Sequence, residues 1–128
     1  MCRWNAMTEA VRVMIVDDNR WTRRALVAYL STLDGMAIVG EAVNGIQAID
    51  LLTSVSTDII LMDARMPHMG GLETTRIVKQ RWPHVRVVIL TTYPYLQEEA
   101  RSAGADAVLM KGCPLEDMIA TLTPVATG

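Results

Sequence analysis

The stretch at residues 58–62 reads DIILM, and the carboxylate of Asp63 follows it directly. A run this short, apolar at nearly every position and rich in β-branched residues is typical of a strand buried on both faces of a sheet. Four further runs share this pattern: Val11–Val16, Ala37–Glu41, Val85–Leu90 and Asp106–Met110. Strands buried on both faces belong to parallel sheets that helices cover on either side, so the five runs predict an α/β fold.

Helical periodicity fills the gaps between these runs. Leu26, Leu30 and Leu33 share one face of a first helix, and Leu115, Met118, Ile119 and Leu122 share one face of a fifth. Turn-forming pairs such as Asn44-Gly45 and Gly70-Gly71 fall at the junctions. Five strands alternating with five helices predict an open, doubly wound parallel sheet with right-handed crossovers, because 128 residues are too few for an eight-stranded barrel.

Composition excludes several classes of protein. The chain is 51% hydrophobic and 20% charged with a net charge of −2, which favours one compact domain and argues against a nucleic-acid groove. No apolar stretch approaches the roughly 20 residues of a membrane span. The two cysteines, Cys2 and Cys113, lie far apart in the sequence, so we expect no disulfide framework and a reducing, cytoplasmic location. We expect residues 1–10 to form a loosely ordered leader and residues 11–126 to form the domain.

Polar residues follow four of the predicted strands. In doubly wound sheets, ligands bind beyond the carboxyl ends of the strands. The residues at those ends are Asp17-Asp18 after the first strand, Asp63 after the third, Thr91-Thr92 after the fourth and Lys111 after the fifth. The chain has ten arginines and only two lysines, so a lysine at a strand end favours a site that requires a compact positive charge. Each acid has a simpler interpretation as a strand end or a helix cap, and Asp18 or Asn19 could cap the first helix.

The chemistry expected of this edge follows from its charges. Three neighbouring carboxylates repel one another and raise one another's pKa values unless cations intervene. Lys111 supplies one positive charge, and Mg²⁺, which prefers oxygen ligands, would supply the remainder. A strand-end aspartate can act as a nucleophile and form an acyl phosphate, whose oxygens Thr91 and Lys111 would hold. No P-loop or G-x-G-x-x-G pattern follows the first strand, which argues against nucleotide binding.

Four short motifs occur in order along the chain: Val16-Asp17-Asp18-Asn19, Leu61-Met62-Asp63 running into Arg65-Met66-Pro67, Leu90-Thr91-Thr92, and Leu109-Met110-Lys111. Together they resemble the response regulator receiver domain of two-component signalling, over roughly residues 11–126. The sequence at residues 39–42, 66–76 and 103–106 looks most like the receivers of LuxR-type transcription factors.

The resemblance implies a flavodoxin-like sheet in the order 2-1-3-4-5 and assigns roles to individual residues. It implies that Asp63 is the phosphoacceptor for a sensor histidine kinase, and that Thr91 and Lys111 sense the phosphoryl group. It implies a Mg²⁺ site formed by the side chains of Asp18 and Asp63, the backbone carbonyl of Arg65 and, through water, Asp17.

The resemblance also implies partners. The domain would be a signalling switch and not an enzyme, with at most self-phosphorylation from small phosphodonors and slow autodephosphorylation. Receivers of this type precede a helix-turn-helix domain, so we expect a linker near Val125 and contact with DNA only through a domain missing from this chain. Homodimerisation on phosphorylation is a further state that the resemblance allows, and no membrane contact is expected.

The chain departs from the family pattern at the residue three positions before Lys111. The family has Tyr or Phe there, whereas this chain has Val108 and contains no phenylalanine. The stretch from Thr91 to Lys111 is also slightly short, so we predict that the response to phosphorylation is a displacement of residues 92–103. Tyr93 and Tyr95, within that segment, are interpreted as surface aromatics. His68 is interpreted as solvated, and Arg20, Arg23 and Arg24 as an exposed helix face.

Three alternatives remain. A phosphatase of the haloacid dehalogenase type requires a second aspartate where this chain has Arg65. A flavodoxin-like electron carrier requires a phosphate-binding loop after the first strand, where Asp17 and Asp18 would repel a phosphate. An atypical receiver that acts as a phosphorylation-independent interaction module is favoured by Val108, but the complete set of acids, threonine and lysine argues against it.

Overall fold

The computed structural model describes residues 10–123 and contains a five-stranded parallel sheet. The strands are β1 (Val11–Val16), β2 (Met36–Ala42), β3 (Ile59–Asp63), β4 (Arg86–Thr91) and β5 (Ala107–Met110). Their order across the sheet is β2-β1-β3-β4-β5, which confirms the predicted doubly wound arrangement. No predicted strand end differs from the observed one by more than one residue.

Five helices connect the strands. They are α1 (Arg20–Leu30), α2 (Gly45–Leu52), α3 (Gly71–Arg81), α4 (Gln97–Ser102) and α5 (Leu115–Leu122). The fourth helix has only six residues and follows a single 3₁₀ turn at Pro94–Leu96. The prediction that the segment between β4 and β5 is trimmed relative to the family stays a prediction.

The sheet separates two apolar clusters. Alternate residues of each strand point to opposite faces, so Val13 and Ile15 of β1 pack with α1 and α5, and Met14 and Val16 pack with α2, α3 and α4. All four of these side chains are fully buried. Burial on both faces explains why the strands are continuously apolar in sequence.

The order of the strands places a crevice above β1 and β3. In the sheet, β2 lies on one side of β1 and β3 lies on the other side. The connection that follows β1 and the connection that follows β3 therefore run in opposite directions. Asp17 directly follows β1 and Asp63 is the last residue of β3. The reversal in strand order therefore brings these two acids to the same edge of the sheet.

Gly71 fixes the start of α3 against the end of β3. A Cβ atom on this residue would collide with the carbonyl oxygen of Asp63 and come within 3.0 Å of the Cα of Ala64. The Gly71 N–H donates a hydrogen bond to the carbonyl of Ala64 at 2.9 Å. The close approach holds the loop that follows Asp63 and explains why glycine occupies this position.

Part of the predicted domain organisation lies outside the described residues. The predicted leader at residues 1–10, apart from Ala10, and the last residues of the predicted domain up to residue 126 are not among residues 10–123. These bounds stay predictions. Within the described part of the chain, no helix combines the length and the apolar character needed to cross a membrane.

Candidate functional site

Three carboxylates meet at the carboxyl ends of β1 and β3. Each of Asp17, Asp18 and Asp63 offers an oxygen within 4.8 Å of the other two. The Asp17 side chain is almost fully buried and that of Asp63 is 12% exposed, whereas Asp18 is exposed to solvent. The cluster therefore has a buried floor and one side that is open to solvent.

Lys111 connects two of these acids. Its Nζ lies 3.4 Å from Oδ2 of Asp17 and 3.3 Å from Oδ2 of Asp63. The backbone of the same residue is anchored to β4, because its N–H donates to the carbonyl of Thr91 at 2.8 Å. The predicted lysine thus lies in direct contact with the predicted nucleophile.

The charges at this edge are not balanced. Burial and repulsion by Asp17 raise the pKa of Asp63, although Lys111 and a backbone hydrogen bond from Arg65 act in the opposite direction. Burial acts to lower the pKa of Lys111, but attraction by Asp63 and Asp17 outweighs it and the pKa is raised. Lys111 is therefore a stable cation that offsets only part of the acidic charge, and the all-oxygen cluster fits a hard divalent cation.

Thr91 lies at the end of β4 and is buried. Its Oγ1 accepts a hydrogen bond from the backbone N–H of Tyr93 at 3.0 Å. Because the hydroxyl acts as the acceptor in this bond, its own proton remains available to a ligand oxygen. Val108 pairs with Ile89 in the sheet and packs half-buried against the cluster below α3 and α4.

The side chain and the backbone carbonyl of Asp17 are both held by residues around the start of α1. Asn19 caps this helix, and its own N–H donates to Oδ1 of Asp17 at 2.8 Å. Arg23 donates from Nη1 to the Asp17 carbonyl at 2.7 Å, and its Nε lies 3.3 Å from Glu41 Oε1. The prediction of an exposed arginine face was wrong for Arg23, which is half-buried. The signal in the sequence was its position one turn after the cap, on the side of the strand end.

Arg65 contacts both tyrosines of the segment before α4. Its Cζ lies 4.3 Å from the centroid of the Tyr93 ring and 6.0 Å from that of Tyr95. Its Nη2 donates to the Tyr95 hydroxyl at 2.6 Å, and the two rings are 5.6 Å apart. The predicted exposure of the tyrosines is confirmed, but their contact with Arg65 was not predicted. No local signal indicates it, because 30 residues separate Arg65 from Tyr95.

The remaining loop residue of interest is His68. It is exposed, as predicted, and adopts a positive φ of 69°. Its conformation belongs to the loop between β3 and α3.

Comparison with known proteins identifies the domain. The response regulator receiver domain family matches residues 13–123, which is most of the chain. The chain belongs to this family. The matched range includes every predicted residue of the acidic edge, so the resemblance seen in the short motifs is confirmed.

Several relatives of this receiver domain are response regulators. The response regulator GacA of Pseudomonas aeruginosa is 32% identical over 120 residues, which cover 92% of this chain and 56% of GacA. VraR of Staphylococcus saprophyticus is 36% identical over 110 residues, covering 84% of this chain and 53% of VraR. The chain thus spans about half the length of the curated relatives that it matches.

Solved structures agree with the fold and with the LuxR-type resemblance. A LuxR-family two-component response regulator from Aurantimonas is 28% identical with a TM-score of 0.80, covering 89% of this chain and 86% of that one. The receiver domain of the response regulator NarL from Mycobacterium tuberculosis is also 28% identical, with a TM-score of 0.79 and coverage of 89% and 97%. The prediction that this receiver is most like those of LuxR-type regulators is confirmed.

Proposed function

We propose that this receiver domain is a switch that accepts a phosphoryl group on Asp63 from the phosphohistidine of a sensor histidine kinase. The observation that carries the proposal is the position of Asp63. It ends the central strand β3, is partly open to solvent, and lies 3.3 Å from the ammonium of Lys111. Its raised pKa shows that its negative charge is poorly compensated, as expected for a group that awaits a further cation.

Transfer of the phosphoryl group from the phosphohistidine to Asp63 is a single displacement at phosphorus. An Asp63 carboxylate oxygen forms a new bond to phosphorus while the P–N bond of the phosphohistidine breaks, and the imidazole nitrogen leaves with the electron pair. The Lys111 ammonium pairs with one phosphoryl oxygen, and the Thr91 hydroxyl donates a hydrogen bond to another. The same groups would hold the phosphorylated product, so Thr91 and Lys111 both stabilise and sense it.

Mg²⁺ fits the donor set of this edge. The residues that would hold it are Asp18 and Asp63 through their side chains, Arg65 through its backbone carbonyl, and Asp17 through water. Bound there, the ion would reduce the repulsion between the carboxylates and the incoming phosphoryl group. The water-mediated role of Asp17 is supported by its existing contacts, because one oxygen accepts from Asn19 and the other faces Lys111.

The domain would transmit a signal and would not turn over a substrate. At most it would phosphorylate itself from small phosphodonors and slowly lose the phosphoryl group. The relatives it matches are about twice as long, and we propose that the whole protein likewise has an output domain, a helix-turn-helix through which DNA would be contacted. Homodimerisation on phosphorylation and a cytoplasmic location belong to the same proposal.

The test is incubation with Mg²⁺ and acetyl phosphate followed by intact mass measurement. We expect one phosphoryl adduct on the unaltered chain and none on Asp63→Asn. A matched control is Asp106→Asn, since Asp106 is also paired with a lysine, at 2.9 Å from Lys79 Nζ, but at the opposite end of β5. An adduct that persists in Asp63→Asn, or is lost in Asp106→Asn, would contradict the assignment.

A second candidate function rests on Val108. Without an aromatic ring at this position the domain could act as an interaction module that is never phosphorylated. The absence of any adduct on the unaltered chain, with Mg²⁺ present and the fold intact, would favour this candidate over the first.

A further inference from the structure

We propose that Arg65 is a positioning residue that holds Tyr93 and Tyr95 in the unphosphorylated domain and releases them when Asp63 is phosphorylated. This inference rests on the proposed function and extends it to the output of the switch. We refer to Arg65, Tyr93 and Tyr95 as the arginine–tyrosine latch.

The latch joins two segments that are distant in sequence. Arg65 follows Asp63 by two residues, in the loop between β3 and α3. Tyr93 and Tyr95 flank Pro94 at the 3₁₀ turn that leads into α4. The guanidinium stacks 4.3 Å from the Tyr93 centroid and donates to the Tyr95 hydroxyl at 2.6 Å, so one side chain spans both segments.

A second contact reaches the same tyrosine from the site. The backbone N–H of Tyr93 donates to Oγ1 of Thr91 at 3.0 Å. When the Thr91 side chain turns toward a phosphoryl oxygen, this hydrogen bond is lost or weakened. Arg65, two residues after the phosphoacceptor, and Thr91, at the end of the adjacent strand, therefore both contact Tyr93.

The balance of charge gives the direction of the change. A cation stacked on a solvent-exposed ring is held weakly, and Tyr93 and Tyr95 are 38% and 61% exposed. A phosphoryl group adds almost two negative charges beside Arg65, and arginine binds such groups through strong, charge-assisted hydrogen bonds. The guanidinium therefore shifts toward Asp63 and leaves the rings, which frees the start of α4.

Val108 explains why this chain needs such a device. It is β-branched, half-buried and packed against the apolar cluster, so it cannot swing between a buried and an exposed position. Tyr93 and Tyr95 are aromatic residues that the chain places directly after Thr91. Through their contacts with Arg65, a change at Asp63 can alter the exposed tyrosines without any movement of Val108.

The test uses the tyrosines as probes. The chain has three tyrosines, and Tyr29 lies in α1, outside the latch. Labelling with 3-fluorotyrosine gives one ¹⁹F resonance for each, assigned with single Tyr→Phe variants. Spectra are recorded before and after saturation with Mg²⁺ and beryllofluoride, a phosphoryl mimic. We expect the Tyr93 and Tyr95 resonances to move and that of Tyr29 to stay.

Three variants distinguish the latch from a stacking contact that does not respond to phosphorylation. Arg65→Gln removes the charge, and Arg65→Lys restores it. Arg81→Gln is the matched control, because Arg81 stacks on Trp82 at 4.4 Å at the far end of α3. In Arg65→Gln the tyrosine resonances should already be displaced before the mimic is added. Their response should then shrink by roughly twofold or more, since the attracted charge is gone. Arg65→Lys should recover part of the response, and Arg81→Gln should behave like the unaltered chain.

The outcomes distinguish the latch from the proposed function. If acetyl phosphate gives an adduct but the tyrosine resonances do not move, or move equally in Arg65→Gln, the latch is overturned and the phosphoacceptor stands. Arg65→Gln should bind the mimic more weakly than the unaltered chain, because a charge-assisted hydrogen bond is lost, and unweakened binding would show that the guanidinium does not reach the phosphoryl group and would overturn the latch. If the unaltered chain gives neither an adduct nor a response, the proposed function fails and the latch with it.

Discussion

At the scale of single residues, Asp63 is held in an environment that disfavours its own charge. Burial and the neighbouring Asp17 raise its pKa, and Lys111 offsets only part of this. A residue that destabilises the folded domain in this way is typical of a functional site, where charge is arranged for a ligand and not for stability.

Asp63→Asn should therefore increase the free energy of unfolding in metal-free buffer at neutral pH, by an amount on the order of 1 kcal/mol. Because the pKa of Asp63 is raised in the folded state, the ionised side chain lowers the free energy of unfolding. This unfavourable contribution is fully present above the folded pKa and disappears below the unfolded value of 3.8. The stability gained by Asp63→Asn should therefore shrink toward zero as the pH falls below the unfolded pKa. Urea unfolding over a series of pH values, with EDTA present, measures it.

Asp58→Asn is a control for which we expect the opposite change in the free energy of unfolding. Hydrogen bonds from Arg12 lower the pKa of Asp58, so its stabilising contribution is present above pH 3.8 and is lost as the pH falls through the lower folded value. Asp58→Asn should lower stability at neutral pH, and only modestly, because the pair is partly exposed. Equal effects of the two substitutions would contradict this account of the acidic edge.

The sequence allows the acids, Thr91 and Lys111 to be predicted as neighbours for a topological reason. Each follows a parallel strand, and parallel strands end at one edge, so no side-chain detail is needed. The contact of Arg65 with Tyr93 and Tyr95 has no such basis. It depends on the conformation of an exposed arginine, which no period or motif specifies. Arg23 is a different case, because its position one turn after the cap placed it on the side of the strand end, and only its reach back to the Asp17 carbonyl depends on its rotamer.

At the scale of secondary-structure elements, the junction between β3 and α3 positions the phosphoacceptor. We predict that Gly71→Ala lowers the free energy of unfolding by about 2 kcal/mol or more, since its Cβ would collide with the backbone at Asp63 and Ala64. The control is Gly40→Ala in β2, whose Cβ would meet the Leu51 and Met14 side chains at an ordinary 3.5 Å. Chemical denaturation compares the two. A Gly71→Ala variant as stable as Gly40→Ala would show that α3 can move away from β3 without cost.

The strands were easier to predict than the fourth helix. Residues 59–62 are all buried, so the apolar run marks β3 almost fully. The predicted strand began one residue early, at Asp58, whose backbone N–H donates to the Arg12 carbonyl and whose carbonyl accepts from the Arg86 N–H, so the pairing with the neighbouring strands extends just beyond the end of β3. In residues 94–103 the buried side chains are those of Leu96, Ala100 and Ala103, and two of the three are small alanines, which leaves too weak a period to reveal the 3₁₀ turn.

The segment that contains this turn should be where the domain responds. We predict that beryllofluoride with Mg²⁺ changes amide exchange across residues 92–103 and leaves β5 around Val108 nearly unchanged. The reason is that Thr91 and Arg65 contact this segment directly, whereas Val108 is fixed by packing. Hydrogen exchange followed by mass spectrometry distinguishes the two regions. A response confined to β5 and α5 would contradict this route without affecting the assignment of Asp63.

At the scale of the whole molecule, stability and function are supplied by different parts of the fold. The two apolar clusters are closed on both faces of the sheet by residues of every strand and helix. The acids lie at one edge, outside these clusters. The domain should consequently fold without metal, and Mg²⁺ should act on global stability only through binding to the folded state.

The size of this effect can be predicted. With a dissociation constant of about 1 mM, as expected for a few carboxylates and several waters, about 10 mM Mg²⁺ should add roughly 1.4 kcal/mol to the free energy of unfolding. For a domain of this size, that raises the midpoint of thermal unfolding by about 5 °C. Asp18→Ala should remove most of the increase while making the metal-free protein more stable, because one of three mutually repelling carboxylates is gone. Thermal unfolding of both proteins in EDTA and in a Mg²⁺ series measures the two effects together. If Asp18→Ala keeps the full response to Mg²⁺ and gains no stability in EDTA, the three acids do not form one electrostatic unit.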